Sequence, residues 1–268
     1  MLKFISIGSG SSGNCYYLST GTDGLLIDAG VGIRTLKKHL ADNGIHIKDD
    51  VQNILVTHDH ADHIKSVGYL SCEFALPVYA IREVHRGIDH NYCVHKKVPA
   101  AMARVITQGE QVKVGEFLVT PFTVPHDSSG NVGYRIEADG IVFVLMTDVG
   151  HVTEEMQKHI GDANYLVLEA NYDVDMLRNG AYPQHLKERI SSSTGHLSNL
   201  ECGETIANYG TGELRHVWLC HLSEENNHPV LAQKTVEQVF RSYGIIAGKD
   251  FLLDVLKRRQ PSPLYELN

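Results

Sequence analysis

Four side chains suited to metal binding crowd into six residues: His58, His60, Asp62 and His63 of His58-Asp59-His60-Ala61-Asp62-His63. Imidazole nitrogens and a carboxylate suit Zn²⁺, Mn²⁺ or Fe²⁺, and a set without cysteine leaves the choice of ion open. Such a set implies activation of a water molecule for hydrolysis. Other stretches offer groups for an anionic substrate. Gly8-Ser9-Gly10-Ser11-Ser12-Gly13-Asn14 is rich in backbone donors and small hydroxyls, which suits the approach of a phosphate and makes Ser11, Ser12 and Asn14 candidate substrate contacts. In Ser193-Thr194-Gly195-His196-Leu197-Ser198-Asn199, His196 lies just before a helix that Ser198 or Asn199 can cap. An imidazole there can touch a phosphate or protonate a leaving oxygen. The polar loop Ser223 to Pro229 adds Asn227 as a candidate contact, with Asn226 and His228 beside it.

The elements around these groups decide whether they can converge. Asn53-Ile54-Leu55-Val56-Thr57 predicts a buried strand that feeds directly into the histidine cluster, so several side chains can point inward from one loop. Upstream, Phe4 to Ile7, Cys15 to Leu18 and Gly24 to Asp28 predict a small strand meander. Ile33 to Leu40 predicts a helix with Ile33, Leu36 and Leu40 on one face, stopping near Asn43-Gly44. In the second half, Gln111 to Thr123, Asn131 to Glu137, Ile141 to Thr147, Ala163 to Glu169 and Val217 to Cys220 read as strands. Helices are expected near Tyr182 to Ser192, Asn199 to Tyr209 and Pro229 to Tyr243. This alternation predicts an α/β protein, a four-layer αβ/βα sandwich rather than a doubly wound parallel sheet. Residues 1–268 are expected to form a single domain, with a loosely ordered tail from about Leu256 that carries Lys257-Arg258-Arg259 and two prolines.

Composition narrows the classes. Hydrophobic residues at 43% and charged residues at 21% are globular values that exclude a disordered chain. Five cysteines, an odd number without any CxxC pair, indicate neither a disulfide framework nor a zinc ribbon. No apolar run approaches the roughly 18 residues of a membrane span, and Met1 to Gly8 reads as a strand rather than a leader, so a cytoplasmic protein without a membrane partner is expected. The net charge of −8 argues against a surface that attracts nucleic acid everywhere, but it permits a local basic groove. Lys65, Arg82, His85, Arg86, Lys96, Lys97 and Arg104, with Tyr92 among them, are consistent with gripping a single strand by charge and stacking.

The HxHxDH pattern of residues 58–63 resembles the metallo-β-lactamase superfamily, and further motifs of that family have counterparts. They are Asp28 in Leu26-Ile27-Asp28-Ala29-Gly30, His126 in Val124-Pro125-His126-Asp127, Asp148 in Met146-Thr147-Asp148-Val149-Gly150 and His221 in Leu219-Cys220-His221-Leu222-Ser223. The resemblance implies one ion held by His58, His60 and His126, a second held by Asp62, His63 and His221, and Asp148 bridging them. Ions about 3.5–4 Å apart hold a hydroxide between them and stabilise attacking and leaving oxygens. Asp28 would hydrogen-bond a loop histidine or backbone group and fix its orientation. Asp59 receives no role.

Taken together, the stretches GSGSSGN, HDHADH, SSSTGHLSN and HLSEENN resemble the YycJ (WalJ) group, a nuclease-related branch of the superfamily. The resemblance implies a 5′-to-3′ DNA exonuclease acting in repair, with two divalent ions, Mn²⁺ or Zn²⁺, Fe²⁺ being compatible with the same donors. Metal-bridged hydroxide would attack phosphorus, and Asp62 and His196 would be catalytic, His196 assisting the departing 3′ oxygen. The implied partners are a DNA 5′ end and repair proteins. Alternatives with the same ligands are a glyoxalase II-like thioester or lactone hydrolase and an RNA-processing nuclease. The first lacks room for its C-terminal helical domain after His221, and a flavodiiron-type module lacks its flavodoxin domain.

Overall fold

The structure, a computed structural model, describes residues 1–268. Strands β1 (Leu2–Gly8), β2 (Cys15–Ser19) and β3 (Gly24–Ile27) form the antiparallel meander expected from the sequence. Helices α1 (Ile33–Asp42) and α2 (Ile47–Asp50) lead to β4 (Asn53–Leu55), which pairs in parallel with β3. After the histidine cluster come α3 (Ala61–Ile64), α4 (Val67–Phe74), β5 (Val78–Ala80), α5 (Arg82–His90) and β6 (Ala103–Val105). The second half holds β7 (Val112–Val114), β8 (Phe117–Thr123), β9 (Val132–Ala138), β10 (Ile141–Met146), α6 (Glu154–Asp162) and β11 (Tyr165–Glu169). It continues with α7 (Val174–Asn179), α8 (Gln184–Ile190), α9 (Asn199–Tyr209), β12 (His216–Cys220), α10 (Pro229–Ser242), β13 (Leu252–Val255) and β14 (Tyr265–Leu267).

Two seven-stranded sheets result, ordered β14-β1-β2-β3-β4-β5-β6 and β13-β12-β11-β10-β9-β8-β7. Period-two alternation explains how they stack. In β10, Phe143 and Leu145 join the core between the sheets, whereas Val144 and Met146 face the layer under α6, α9 and α10. Tyr165 and Val167 of β11 and Trp218 and Cys220 of β12 follow the same inward rule. Strands buried on both faces carry near-continuous apolar runs, which is why these segments were legible. The result is the expected αβ/βα sandwich. No helix is long and apolar enough to cross a membrane.

The tail departs from expectation. Residues Tyr265–Leu267 pair antiparallel with β1, Ser262 N donates to Ser6 O (2.8 Å), and Tyr265 Oη donates to Asp254 Oδ2 (3.2 Å). Apolar contact drives the docking, since the Tyr265 ring lies 5.1 Å from Trp218. The tail contacts residues more than two hundred positions upstream, which local composition does not reveal.

Phe4 joins the two sheets at the same place: fully buried, its ring lies 4.7 Å from Trp218 and 5.1 Å from Phe143. Phe4→Ala should cost about 3–5 kcal/mol in chemical denaturation. An unchanged midpoint would show that the sheet interface does not depend on this ring.

Candidate metal centre

The carboxyl ends of β3, β4, β10, β11 and β12 meet along one edge, and each delivers a polar side chain there. Asp28, Asp148 and His221, just past β3, β10 and β12, adopt left-handed backbone with φ of 60°, 56° and 52°. A non-glycine residue in that region costs on the order of 1–3 kcal/mol and persists only where its surroundings enforce it. Here they do: Asn131 Nδ2 donates to Asp148 O (2.9 Å), Asn171 Nδ2 donates to His221 O (2.8 Å), and Asp28 N donates to Leu55 O (2.8 Å). The sharp turn swings each side chain off its strand and into the cleft between sheets. Gly30 serves the same edge, because a Cβ there would fall 1.6 Å from Asp62 O.

Within that edge, His58, His60 and His126 bring their donor atoms within 4.8 Å of one another, as do Asp62, His63 and His221. Asp148 stands between the two sets, with Oδ2 3.1 Å from His63 Nε2 and Oδ1 3.6 Å from His126 Nε2. Asp62 Oδ2 lies 3.4 Å from His221 Nε2.

Outer partners fix which imidazole nitrogen faces inward. His63 Nδ1 donates to Asp28 Oδ2 (2.7 Å), and His221 Nδ1 donates to Glu169 Oε1 (2.7 Å). His126 Nδ1 donates to Gly195 O (3.0 Å). Thr57 Oγ1 donates to Asp28 Oδ2 (2.8 Å) and receives His58 Nδ1 (3.0 Å). Each ring therefore turns its other nitrogen toward the centre. His58 Nε2 is buried with no partner at all, and His126 Nε2 lies 3.4 Å from His60 Nδ1. Imidazole nitrogens converging on one point, beside ionised carboxylates, fit divalent cations.

Charge gives the same answer. Burial holds His58 well below the usual imidazole range, with His63 adding to the effect. Burial also disfavours charge on His63, yet Asp28, Asp148 and Asp62 lift its pKa to about 10. Burial likewise opposes ionisation of Asp148, but His221 and His63 hold it well below the carboxylate range. The buried carboxylates thus draw positive charge to the cluster, from His63 and His221 here and from a cation where one binds.

Glu169, the last residue of β11, was not singled out in the sequence. It is fully buried, and although burial opposes its charge, His196 and His221 hold its pKa at about 2. Its Oε1 receives His196 Nδ1 (2.9 Å) as well as His221, while Oε2 receives the backbone N–H groups of Val149 (2.8 Å) and Leu197 (3.2 Å). One signal was available: an acid closing the apolar run Tyr165-Leu166-Val167-Leu168. His196 lies beside the centre, its ring 5.1 Å from His126 and 5.4 Å from His221. Asp59 turns away, accepting from Ser129 N (3.2 Å) and Ser129 Oγ (2.6 Å).

The candidate substrate contacts divide. Ser11 and Ser12 are exposed on their loop. Asn14 is fully buried instead, with Oδ1 receiving Gly10 N (2.8 Å) and Nδ2 2.9 Å from His63 Nε2, so it shapes the loop and abuts a candidate ligand. Asn227 is also buried, its Nδ2 donating to Ala170 O (2.9 Å), Asn171 O (3.0 Å) and Asn199 Oδ1 (2.8 Å). Fully committed to the protein, Asn227 has no donor left for a substrate, which corrects that expectation. His228 caps α10. In the basic stretch, Lys97 Nζ and Arg104 Nη1 donate to nearby carbonyls, whereas Tyr92 is exposed.

Comparison with known proteins accords with this geometry. The family described as the β-lactamase superfamily domain matches residues 24–222. The chain is 34% identical to exodeoxyribonuclease YycJ of Bacillus anthracis over 263 residues, covering 98% of each chain. It is 34% identical to exodeoxyribonuclease WalJ of Streptococcus pneumoniae serotype 2 over 266 residues, covering 99% of this chain and 98% of that one. Among solved structures, the metallo-β-lactamase fold protein YhfI from Bacillus subtilis superposes with a TM-score of 0.72 at 19% identity, covering 97% of this chain and 98% of that one.

Glu169→Gln keeps the shape but removes the charge that orients two histidines. Metal affinity or hydrolytic rate should fall about 10–100-fold, read by metal titration and by turnover. If both stay at the wild-type level, Glu169 does not orient the centre.

Proposed function

The chain belongs to the β-lactamase superfamily and, within it, to the family of YycJ and WalJ, and on that footing we propose that it is a two-metal phosphodiesterase that removes nucleotides from DNA 5′ ends in repair. It is a metallo-β-lactamase-fold hydrolase; the choice of DNA rests on the near full-length relatives named as exodeoxyribonucleases. The observation that carries the two-ion reading is the placement of two donor sets around Asp148, whose Oδ2 lies 3.1 Å from His63 Nε2 and whose Oδ1 lies 3.6 Å from His126 Nε2 and 3.5 Å from His221 Nδ1. In this reading His58, His60 and His126 would hold one ion, Asp62, His63 and His221 would hold the other, and Asp148 would serve both. The all-nitrogen and oxygen donors suit Mn²⁺ or Zn²⁺. Divalent ions bound there supply water activation and neutralise phosphate oxygens.

The chain's own residues do the rest. Asp28 and Glu169 orient the ligand rings, and the buried strand ends keep the donors in place. Glu169 occupies His196 Nδ1, which leaves Nε2 as the atom that gives a proton to the departing 3′ oxygen. Burial opposes a charged His196, but Glu169 raises its pKa above the usual imidazole value, so it holds that proton near neutrality. Ser11 and Ser12 are the loop hydroxyls open to a substrate. Residues 1–268 act as a single domain, a reading supported by a core of 48 buried residues drawn from both sheets.

Metal-loaded protein should release mononucleotides from the ends of 5′-labelled single- or double-stranded DNA in preference to RNA or a thioester. Cleavage of the thioester alone would replace this reading with a glyoxalase II-like one. His196→Ala should lower turnover about 10²–10⁴-fold with metal content unchanged. It should also lose the basic limb of the pH profile, since an acid works only below its pKa. A variant with the wild-type rate and profile would remove His196 from the chemistry.

A further inference from the structure

The run Lys257-Arg258-Arg259 follows β13 and crosses the Gly8–Asn14 loop instead of trailing into solvent. Ser9 N donates to Lys257 O (3.1 Å), and Ser9 Oγ in turn receives His221 N (2.9 Å), so the basic segment is tied to the metal centre through one serine. The stem of Arg258 lies against Gly10, where a Cβ would come within 2.9 Å of Arg258 Cγ. Arg258 Nη1 donates to Ser223 O (3.0 Å), a neutral carbonyl that anchors the guanidinium without cancelling its charge. No carboxylate pairs with Arg258, whereas Arg259 is engaged at the surface with Glu224 (2.8 Å). The rest of the Arg258 donor fork is unassigned.

Both arginines wall a cleft of about 220 Å³ that is also lined by Ser12, Gly13, Gly32 and Thr35 and contains no acidic residue. A neighbouring cleft of about 330 Å³ shares the arginines but includes Glu224, which would repel an anion. In the acid-free cleft, the first turn of α1 adds to the arginine field, because Gly32 gives no side-chain cap and no acidic residue follows it. Ser12-Gly13 runs straight into Asn14, whose Nδ2 lies 2.9 Å from His63 Nε2. The cleft and the metal centre are thus two sides of one loop.

A planar guanidinium, an exposed hydroxyl and an acid-free wall match the geometry and charge of a phosphate. On a chain of net charge −8, such local groups must supply the attraction for a polyanion. We propose that Arg258, with Ser12, binds a phosphate of the substrate strand while a neighbouring phosphodiester lies at the metal centre. This assignment rests on the nuclease reading above.

The test uses Arg258→Gln, which keeps the stem on Gly10, and Arg258→Lys, which keeps the charge. The probe is fluorescein-labelled oligothymidylate bearing a 5′-phosphate or a 5′-hydroxyl, titrated by anisotropy across NaCl concentrations. Arg258→Gln should weaken binding about tenfold and make the slope of log K against log salt shallower by about 0.7, the share of one single-strand phosphate. KM should rise more than kcat falls, and Arg258→Lys should recover part of the loss. A loss confined to the 5′-phosphorylated probe assigns the cleft to the terminal phosphate; equal losses assign it to an internal one. In the wild-type protein, the probe should also protect Arg258 from phenylglyoxal, a readout independent of any variant's folding. Unchanged affinity and slope, or an unprotected Arg258 at saturating probe, overturn the subsite while a wild-type nuclease rate leaves the nuclease reading standing. A wild-type chain that cleaves no nucleic acid overturns both.

Discussion

Four carboxylates, those of Asp28, Asp62, Asp148 and Glu169, lie at one edge of the molecule among imidazoles, three of them almost wholly out of water. Burying that much negative charge is tolerable only if hydrogen-bond donors and positive charge surround it. The nearby architecture answers this requirement. Backbone N–H groups of Thr57, Val149 and Leu197 point at Asp28 and Glu169. Each outer acid also takes an imidazole N–H, so solvating the acid and orienting the ring are one interaction.

That interaction demands precise strand ends, and the two sheets provide them. Strained turns at Asp28, Asp148 and His221 would relax on a flexible loop; on the ends of central, doubly buried strands they have nowhere to relax to. The cost in backbone energy is offset by packing beneath, where apolar residues of β10, β11 and β12 alternate between two buried layers.

How much of this was legible from residues follows from how local each feature is. The cluster at residues 58–63 puts four donors in one stretch, so it announces itself, and Asp28, Asp148 and His221 each follow an apolar strand, a position that restricts where their side chains can go. Glu169 sits in a comparable place but inside the strand's last position, where an acid reads as an ordinary terminus. Asn14 and Asn227 were misjudged as substrate contacts because polar loops show which groups can hydrogen-bond but not whether protein or ligand receives the bond. Asn14 is taken by Gly10 of its own loop and by His63 from another, and Asn227 by Ala170 and Asn171. The tail was misread for a related reason: its pairing with β1 joins opposite ends of the chain, and its contact with Trp218 reaches into the other sheet.

The same non-locality constrains the centre itself. His58 and His60 come from the end of β4 in one sheet, whereas His126 follows β8 in the other; Asp62 and His63 belong to the first sheet's edge and His221 to the second. Donors split this way meet only if the sheets do not slide, since a usable metal site tolerates about 0.5 Å of misplacement. Hydrophobic packing alone is non-directional and sets no such register. Directional bonds across the gap do. Tyr134 Oη donates to Val56 O (2.6 Å), one residue before Thr57. Val132 N donates to Thr57 O (3.1 Å), next to His58. Ser9 Oγ receives His221 N (2.9 Å) from the opposite side. Each lies within a few residues of a donor and runs from one sheet to the other. The register of the sandwich is therefore fixed beside the centre, by hydrogen bonds whose placement makes sense only if both halves must present their side chains to one point.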